Sequence, residues 1–278
     1  MISKVIPKLK RIALTLLLVY LGLMAVIYVT QRNFLYFPGG DRPDISTLTD
    51  TLPQIISVQS TPEIKFDAWY WPAQNNLPSI VFFHGNGQAY QYWVIKLTPY
   101  IEQGYGIFFT DYRGYGGVEG NPSEEGIYED ARAHINALMS ETNLKSSDMI
   151  FYGESLGSAV ATQMATEFPP QAIVYEGAFD AASEVAKIRF GIFPIDLLMK
   201  DQFRSIDKIE KLTMPKFFIH GKRDMIIPIW FGKNLYEAAP QPKTWKIIEN
   251  AGHNDLYDNG AQLHILQFLS TLPLINKE

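Results

Sequence analysis

The pattern of apolar and polar positions separates a long N-terminal apolar run from a mixed remainder. Beyond residue 50, short apolar runs bounded by turn residues predict strands, and longer amphipathic stretches predict helices. From residue 79 onward the two alternate, which indicates an α/β fold with a mainly parallel sheet covered by helices. The first two of the eight predicted strands form an antiparallel hairpin. The predicted strands cover 55–60, 64–71, 79–83, 106–110, 148–152, 172–176, 216–220 and 244–249, and the helices cover 88–102, 124–140, 156–167, 229–238 and 260–270.

Residues 181–212 interrupt this alternation. They lie between two predicted strands but are much longer than a usual connection, and they are rich in large apolar side chains. We interpret them as a small helical cap over the carboxyl edge of the sheet. The residues predicted to wall a substrate pocket there are Phe190, Ile192, Phe193 and Leu198; the alternative is that they only pack the cap onto the body.

The N-terminal run from Ile12 to Thr30 holds 19 residues without a charge, which is enough to span a bilayer core. A cleaved signal peptide is less consistent, because the run exceeds the usual ~7–15 residues and no A-x-A site follows it. We predict a basic tail and transmembrane anchor at 1–30, a linker at 31–50 and a folded domain at 51–278. The anchor and the domain are expected to share no apolar surface.

Charge sets the expected orientation and excludes one class of partner. Of the 24 basic residues, five lie in residues 1–33, where no acid occurs, so the rest of the chain is strongly acidic. The positive-inside rule then keeps the N-terminus cytosolic and the folded domain outside, at the periplasmic face of the inner membrane in a bacterium. An acidic domain lacks the basic surface that binds the phosphate backbone, so nucleic acid is not an expected partner. Because the chain has no cysteine, thiol nucleophiles and thiolate metal sites are excluded.

The stretch "FYGESLG" runs from a strand into small residues, with Ser155 at the bend. Two glycines around a serine fit an ordinary turn, but they also fit a nucleophile elbow. Serine is a weak nucleophile until an oriented base accepts its proton. Asp224 after "FFIHGKR" and His253 in "ENAGHND" complete a Ser–Asp–His order, which is the order of α/β-hydrolases. We therefore predict Ser155, Asp224 and His253 as the catalytic residues.

Other histidines and acids compete for these roles. His84 lies in a loop after a strand and His220 in a strand end, while His134 and His264 fall in helices and are expected near the surface. His253 is preferred because it is last in order and lies on a loop. The acids Glu176 and Asp180 follow the preceding strand and remain alternatives to Asp224.

The run "FFHGNG" supplies the second half of the predicted site. The backbone N–H of Asn86 and that of Leu156, the residue after the serine, are predicted to form an oxyanion hole. Gly85 and Gly87 let this loop approach the elbow. No complete dinucleotide fingerprint, Walker motif or metal-ligand spacing occurs, so no cofactor or metal is predicted.

Together these motifs resemble the membrane-anchored α/β-hydrolases of the ABHD and serine-aminopeptidase-like group. The resemblance covers nearly the whole chain and includes "QRNFLYFP", "FFHGNG", "DYRGYGGVEGNPSEEGIYED", "YGESLGSAVA", "FIHGKRDMIIP" and "AGHND". It implies an α/β-hydrolase fold in the catalytic domain at 51–278 and hydrolysis of esters or thioesters. Some eukaryotic relatives remove fatty acyl groups from proteins.

The sequence therefore predicts a serine hydrolase held on the lipid bilayer by residues 12–30 and acting on small-molecule or acylated substrates. A serine peptidase is an alternative, in which Glu176 or Glu154 would bind the terminal amine of the substrate. A non-catalytic, membrane-tethered scaffold is a third and weaker alternative, because the residues of the site are intact.

Overall fold

Eight β-strands form one mixed sheet in the computed structural model, which describes residues 2–38 and 40–275. The apolar runs predict all eight strands to within two residues. The strands are β1 (Gln54–Gln59), β2 (Lys65–Trp71), β3 (Ser79–Phe83), β4 (Gly106–Phe109), β5 (Met149–Glu154), β6 (Ala172–Glu176), β7 (Lys216–Gly221) and β8 (Lys243–Ile248).

The strand order is β1-β2-β4-β3-β5-β6-β7-β8. Pairing is antiparallel between β1 and β2 and between β2 and β4, and parallel between all other neighbours. The predicted hairpin and the predicted parallel sheet are thus confirmed. Because β3 lies between β4 and β5, the chain reverses its direction of winding there, and the loops after β3 and β5 diverge to leave a crevice at the carboxyl edge.

Helices cover both faces of this sheet. Alternate side chains of β3 point to opposite sides, so that Val81 and Phe83 join one apolar cluster and Ile80 and Phe82 join the other. Both clusters are buried, which explains why this strand is almost wholly apolar. The helices are α1 (Ile2–Leu35), α2 (Tyr90–Glu102), α3 (Glu124–Thr142), α4 (Leu156–Glu167), α5 (Ala182–Phe190), α6 (Ile195–Leu198), α7 (Ile229–Ala238) and α8 (Ala261–Leu269).

The N-terminal helix departs from the expectation of a separate anchor. Helix α1 continues through Leu35 into the region predicted as a linker, and Tyr36 directly after it is buried. Residues 7–19 are exposed on all sides, whereas from residue 20 onward the helix is half-buried along one face at a spacing of three or four residues. That face is formed by Tyr20, Met24, Ile27, Thr30, Gln31 and Leu35.

The half-buried face of α1 packs on the cap, which consists of α5, α6 and the segment after them. Arg32 forms an ion pair of 2.7 Å with the buried Asp201. Twelve residues earlier, the Tyr20 hydroxyl donates a 2.8 Å hydrogen bond to the carbonyl oxygen of Ile192. The expectation that anchor and domain share no apolar surface is therefore wrong. From Tyr20 onward, side chains spaced three or four residues apart form one continuous face of α1, and this face contacts the cap.

His134 is also placed differently from the expectation, since it is fully buried on the inner face of α3. Its ring packs 4.7 Å from that of Phe66 between centroids. The Nδ1–H donates to the carbonyl oxygen of Asp130 at 2.8 Å, and Nε2 accepts from the backbone N–H of Asp111 at 3.4 Å. Burial of the ring lowers the pKa of His134 to about 4.

Burial of His134 predicts a loss of stability in acid. The unfolded chain takes up a proton near pH 6.5, but the folded protein does so only near pH 4, so the free energy of unfolding falls as the pH drops between these values. The expected loss is roughly 3 kcal/mol at most. Denaturant unfolding in detergent at pH 7 and pH 4.5 measures it. His134→Gln should reduce this dependence of stability on pH. The control His264→Gln, at a half-exposed position, should retain most of it. The same pH dependence in both variants would contradict the role given to His134.

Candidate active site

The turn between β5 and α4 places Ser155 at the carboxyl edge of the sheet. Ser155 has φ 51° and ψ −117°, a conformation that is strained for any residue with a side chain. Its N–H donates to the carbonyl oxygen of Glu176 at 2.8 Å. A Cβ atom at Gly157 would overlap the carbonyl oxygen of Phe83, and one at Gly153 would overlap that of Gly157. Both glycines are needed because α4 crosses directly over the ends of β3 and β5.

Three predicted residues from different loops meet at this turn. His253, in the loop between β8 and α8, has its Nε2 atom 2.9 Å from Ser155 Oγ. Its Nδ1 atom lies 2.6 Å from Oδ2 of Asp224, which follows β7. The serine hydroxyl, the imidazole and the carboxylate thus form one continuous chain of hydrogen bonds. Such a chain can move a proton away from the hydroxyl oxygen.

Asp224 is buried but remains a carboxylate. Its Oδ1 atom accepts from the backbone N–H groups of Ile226 at 2.9 Å and Ile227 at 2.8 Å, and Oδ2 faces two imidazoles. Burial alone would raise the pKa of this carboxyl group. The hydrogen bonds from His220, His253 and the backbone outweigh burial and hold its pKa well below the usual range.

His220 is the residue of this site that the sequence reasoning missed. It is fully buried near the end of β7, and its Nε2 atom lies 2.9 Å from the carbonyl oxygen of Ile227 and 3.2 Å from Oδ2 of Asp224. It therefore ties the start and the end of the loop that carries the carboxylate. The available signal was its position four residues before Asp224, across a tight turn.

The two competing acids are engaged elsewhere. Glu176 accepts from Tyr152 OH and lies 2.7 Å from Lys96 Nζ. Asp180 accepts from the backbone N–H of Ala181 at 2.8 Å and from Asn234 Nδ2 at 3.1 Å. Of the three candidate acids, Asp224 is therefore the one in contact with the imidazole of His253.

The loop after β3 lies against the elbow. A Cβ atom at Gly85 would stand 3.3 Å from that of Ser155. The side-chain amide of Asn86 is fully engaged: Nδ2 donates to the carbonyl oxygen of Leu35 at 2.6 Å, and Oδ1 accepts from the N–H of Phe37 and the hydroxyl of Tyr115, each at 2.8 Å. An oxyanion role for Asn86 would therefore use its backbone N–H. The N–H of Leu156 opens α4 and has no intrahelical acceptor.

A cavity of about 670 Å³ opens from Ser155 and His253. Its walls come from the C-terminal part of α1, the cap and the loop before α7, and they are mainly apolar. Phe190 and Leu198 lie in these walls, as predicted for pocket residues. Helix α1 contributes wall residues that no sequence argument had assigned to the site: Ile27, Gln31, Phe34 and Leu35.

Phe193 and Ile192 are predicted pocket residues that lie outside these walls. Ile192 is 77% exposed. The ring of Phe193 stacks on that of Tyr20, with centroids 5.4 Å apart. The prediction for Phe193 is corrected accordingly: the contact with α1 takes the ring away from the cavity and uses it to join the cap to the helix.

Known proteins give the same class of fold. A family profile described as the alpha/beta hydrolase fold matches residues 78–194. An uncharacterized protein of Mycobacterium tuberculosis is 30% identical over 266 residues, covering 94% of each chain. Alpha/beta hydrolase domain-containing protein 17B of Homo sapiens is 31% identical over 204 residues, which are 71% of this chain and 68% of that one.

Solved structures are similar in fold at low sequence identity. An esterase from Pyrococcus furiosus has a TM-score of 0.67 at 14% identity, covering 85% of this chain and 99% of its own. An esterase from Exiguobacterium antarcticum has a TM-score of 0.61 at 18% identity, covering 78% and 100%. The mostly parallel eight-stranded sheet with its flanking helices defines the class of alpha/beta hydrolases. The chain belongs to the alpha/beta hydrolase family, as its sequence motifs predict.

Proposed function

We propose that this protein is a membrane-anchored serine hydrolase that cleaves carboxylic esters or thioesters of acyl substrates. The observation that carries the proposal is the chain of hydrogen bonds from Ser155 through His253 to Asp224, at the base of an apolar cavity. The names of the esterase neighbours agree with this chemistry, although their likeness concerns the fold.

In the proposed reaction, Ser155 Oγ attacks the acyl carbonyl carbon while His253 Nε2 takes the hydroxyl proton. Asp224 holds the Nδ1–H and stabilises the imidazolium that forms. The backbone N–H groups of Leu156 and Asn86 donate to the oxyanion of the tetrahedral intermediate. His253 then gives its proton to the departing alcohol or thiol. Water, deprotonated by the same imidazole, releases the acyl group from the serine.

The cavity supports an acyl substrate over a polar one. Phe190 and Leu198 from the cap and Ile27 and Phe34 from α1 line it, and the rings of Phe34 and Phe190 are in contact at 6.1 Å between centroids. Each methylene group of the substrate that is buried against such a wall contributes ~0.8 kcal/mol to the binding free energy. Affinity should therefore come mainly from the acyl chain, with the polar groups at Ser155 setting its orientation.

Two buried acids that are paired with a lysine argue against the peptidase alternative. It would need Glu154 or Glu176 to bind the terminal amine of the substrate. Both carboxylates instead face the ammonium group of Lys96, which is itself buried. The scaffold alternative gives no reason for the strained backbone of Ser155, since such strain is typical of functional sites.

The membrane part of the proposal depends on α1. Among residues 2–38 and 40–275, Pro7–Leu35 is the one helix long and apolar enough to cross a bilayer. Basic residues before it favour a cytosolic N-terminus and a hydrolase domain on the other side. Protease added to spheroplasts would then digest the domain, and protection of the domain would contradict this orientation.

The catalytic residues should behave as one unit. Ser155→Ala and His253→Ala should each lower kcat on p-nitrophenyl butyrate by several orders of magnitude, and the double variant should lose little more. Rates of all three variants in detergent, at equal protein and with thermal unfolding as a control for folding, test this. Wild-type turnover in Ser155→Ala, or losses that multiply in the double variant, would contradict the proposed roles.

The acyl specificity should follow the cavity. We expect kcat/KM on p-nitrophenyl esters to rise with acyl length and to fall once the chain outgrows the walls. Phe190→Ala should move the optimum towards longer chains while acetate hydrolysis changes little. Leu263→Ala, on the exposed face of α8, is the matched control. A profile that is highest for acetate and declines from there would exclude an acyl pocket.

A further inference from the structure

The contact between α1 and the cap begins deep within the apolar run of the helix. Tyr20 bonds to the carbonyl oxygen of Ile192 and stacks on Phe193, whereas residues 12–19 are all exposed. Toward the C-terminus of the helix, Gln31 donates to the carbonyl oxygen of Leu198 at 3.0 Å and accepts from the N–H of Lys200 at 2.7 Å. The cap therefore runs alongside α1 for more than three turns.

The charges that bound the apolar run fix the depth of this contact. Lys10 and Arg11 precede the run and Arg32 follows it, so residues 12–31 are the longest segment that can cross without a charge. At 1.5 Å per residue these 20 residues are ~30 Å long, which equals the thickness of the hydrocarbon core. The segment therefore spans the core only if all of it lies within the membrane. Tyr20 then lies ~18 Å along the axis from Arg32, close to the middle of the bilayer. This step depends on the proposed membrane span.

The cap exposes large apolar side chains at that depth, next to the exposed Arg189. Ile192 is 77% exposed and Leu197 is 84% exposed, although neither lines the cavity. Ile188, on the same cap, is also exposed. Several exposed large apolar side chains on one small element are typical of an interaction surface. Lys187 is shared between the nearby acids Glu184 and Asp196, at 2.8 and 2.9 Å, so these charges neutralise one another in part.

The cavity is built from the same two elements. Ile27 and Phe34 of α1 and Phe190 and Leu198 of the cap form its walls, and Ile27 lies within the apolar run. A wall formed by part of a membrane-spanning segment lies beside lipid. An acyl chain that reaches this cavity from the lipid would leave one apolar medium for another without crossing water.

We propose that the cap surface around Ile188, Ile192 and Leu197 is immersed in the hydrocarbon core to about the middle of the bilayer, and that the cavity receives its acyl chain laterally from the bilayer. The partner of this surface is the lipid bilayer itself. The preferred substrate is accordingly an ester or thioester whose acyl chain already resides in the membrane.

The absence of cysteine allows a direct test of depth. Ile192→Cys and Leu197→Cys are each labelled with an environment-sensitive nitrobenzoxadiazole maleimide and reconstituted into phosphatidylcholine vesicles. Ile95→Cys on α2 and Leu263→Cys on α8 are matched controls, because they are exposed to 65% and 69% but lie outside the cap. The cap labels should be blue-shifted, quenched by doxyl lipids and at least fivefold less sensitive to iodide than the controls. Iodide sensitivity equal to that of the controls would overturn immersion.

A second measurement tests lateral entry. Leu197→Glu should leave the hydrolysis of water-soluble p-nitrophenyl acetate unchanged but lower the hydrolysis of a palmitoyl ester embedded in vesicles at least tenfold. Equal rates of this variant and the wild type on the vesicle substrate would overturn lateral entry. If the wild type hydrolyses neither ester, the proposed hydrolase function fails, whereas the fluorescence measurement still decides whether the cap is immersed.

Discussion

The strained turn at Ser155 is the constraint on which the rest of the site depends. A non-glycine residue at φ 51° costs of order 1–3 kcal/mol and persists only where its surroundings fix it. The parallel strands β3, β5 and β6 supply that rigidity: α4 packs directly on the end of β3 at Gly157, and the carbonyl of Glu176 holds the N–H of Ser155. The loops after β3, β7 and β8 then need only to reach one fixed point, which is why residues far apart in sequence meet there.

Buried charges near this turn divide into two groups. Beneath the elbow, burial opposes the charge on Lys96, but Glu154 and Glu176 outweigh it and raise the pKa of the ammonium group, so the three groups form a closed ionic cluster. Removing Lys96 would leave two buried carboxylates without a counter-charge, and the two acids in turn hold the buried ammonium group in place, so this cluster is structural. Asp224 differs because one of its oxygens faces His253 at the cavity. In the proposed reaction, this carboxylate is therefore the one that stabilises the imidazolium of His253.

The sequence predicts the eight strands well, because apolar runs and turn residues are local signals. It also predicts that Ser155, Asp224 and His253 lie close together, because each follows a strand of the same sheet. It does not predict the docking of α1 on the cap, since a helix that is apolar all round does not reveal which face meets a neighbour. The same limit explains Phe193, whose apolar ring fits a pocket and a helix contact equally well. The burial of His134 depends on which face of α3 meets the sheet, and the sequence around it does not show this. His220 is only four residues before Asp224, but the folded turn is needed to bring its ring to the carboxylate.

The most direct test of the account is the site of reaction with a fluorophosphonate, which modifies an activated serine. Full-length protein in detergent is treated with the reagent, digested and mapped by mass spectrometry. The account predicts a phosphonyl adduct on Ser155 in the wild type and little adduct in a His253→Gln variant that retains the wild-type thermal unfolding temperature. An unmodified wild-type Ser155, or an adduct on a different residue, would contradict it.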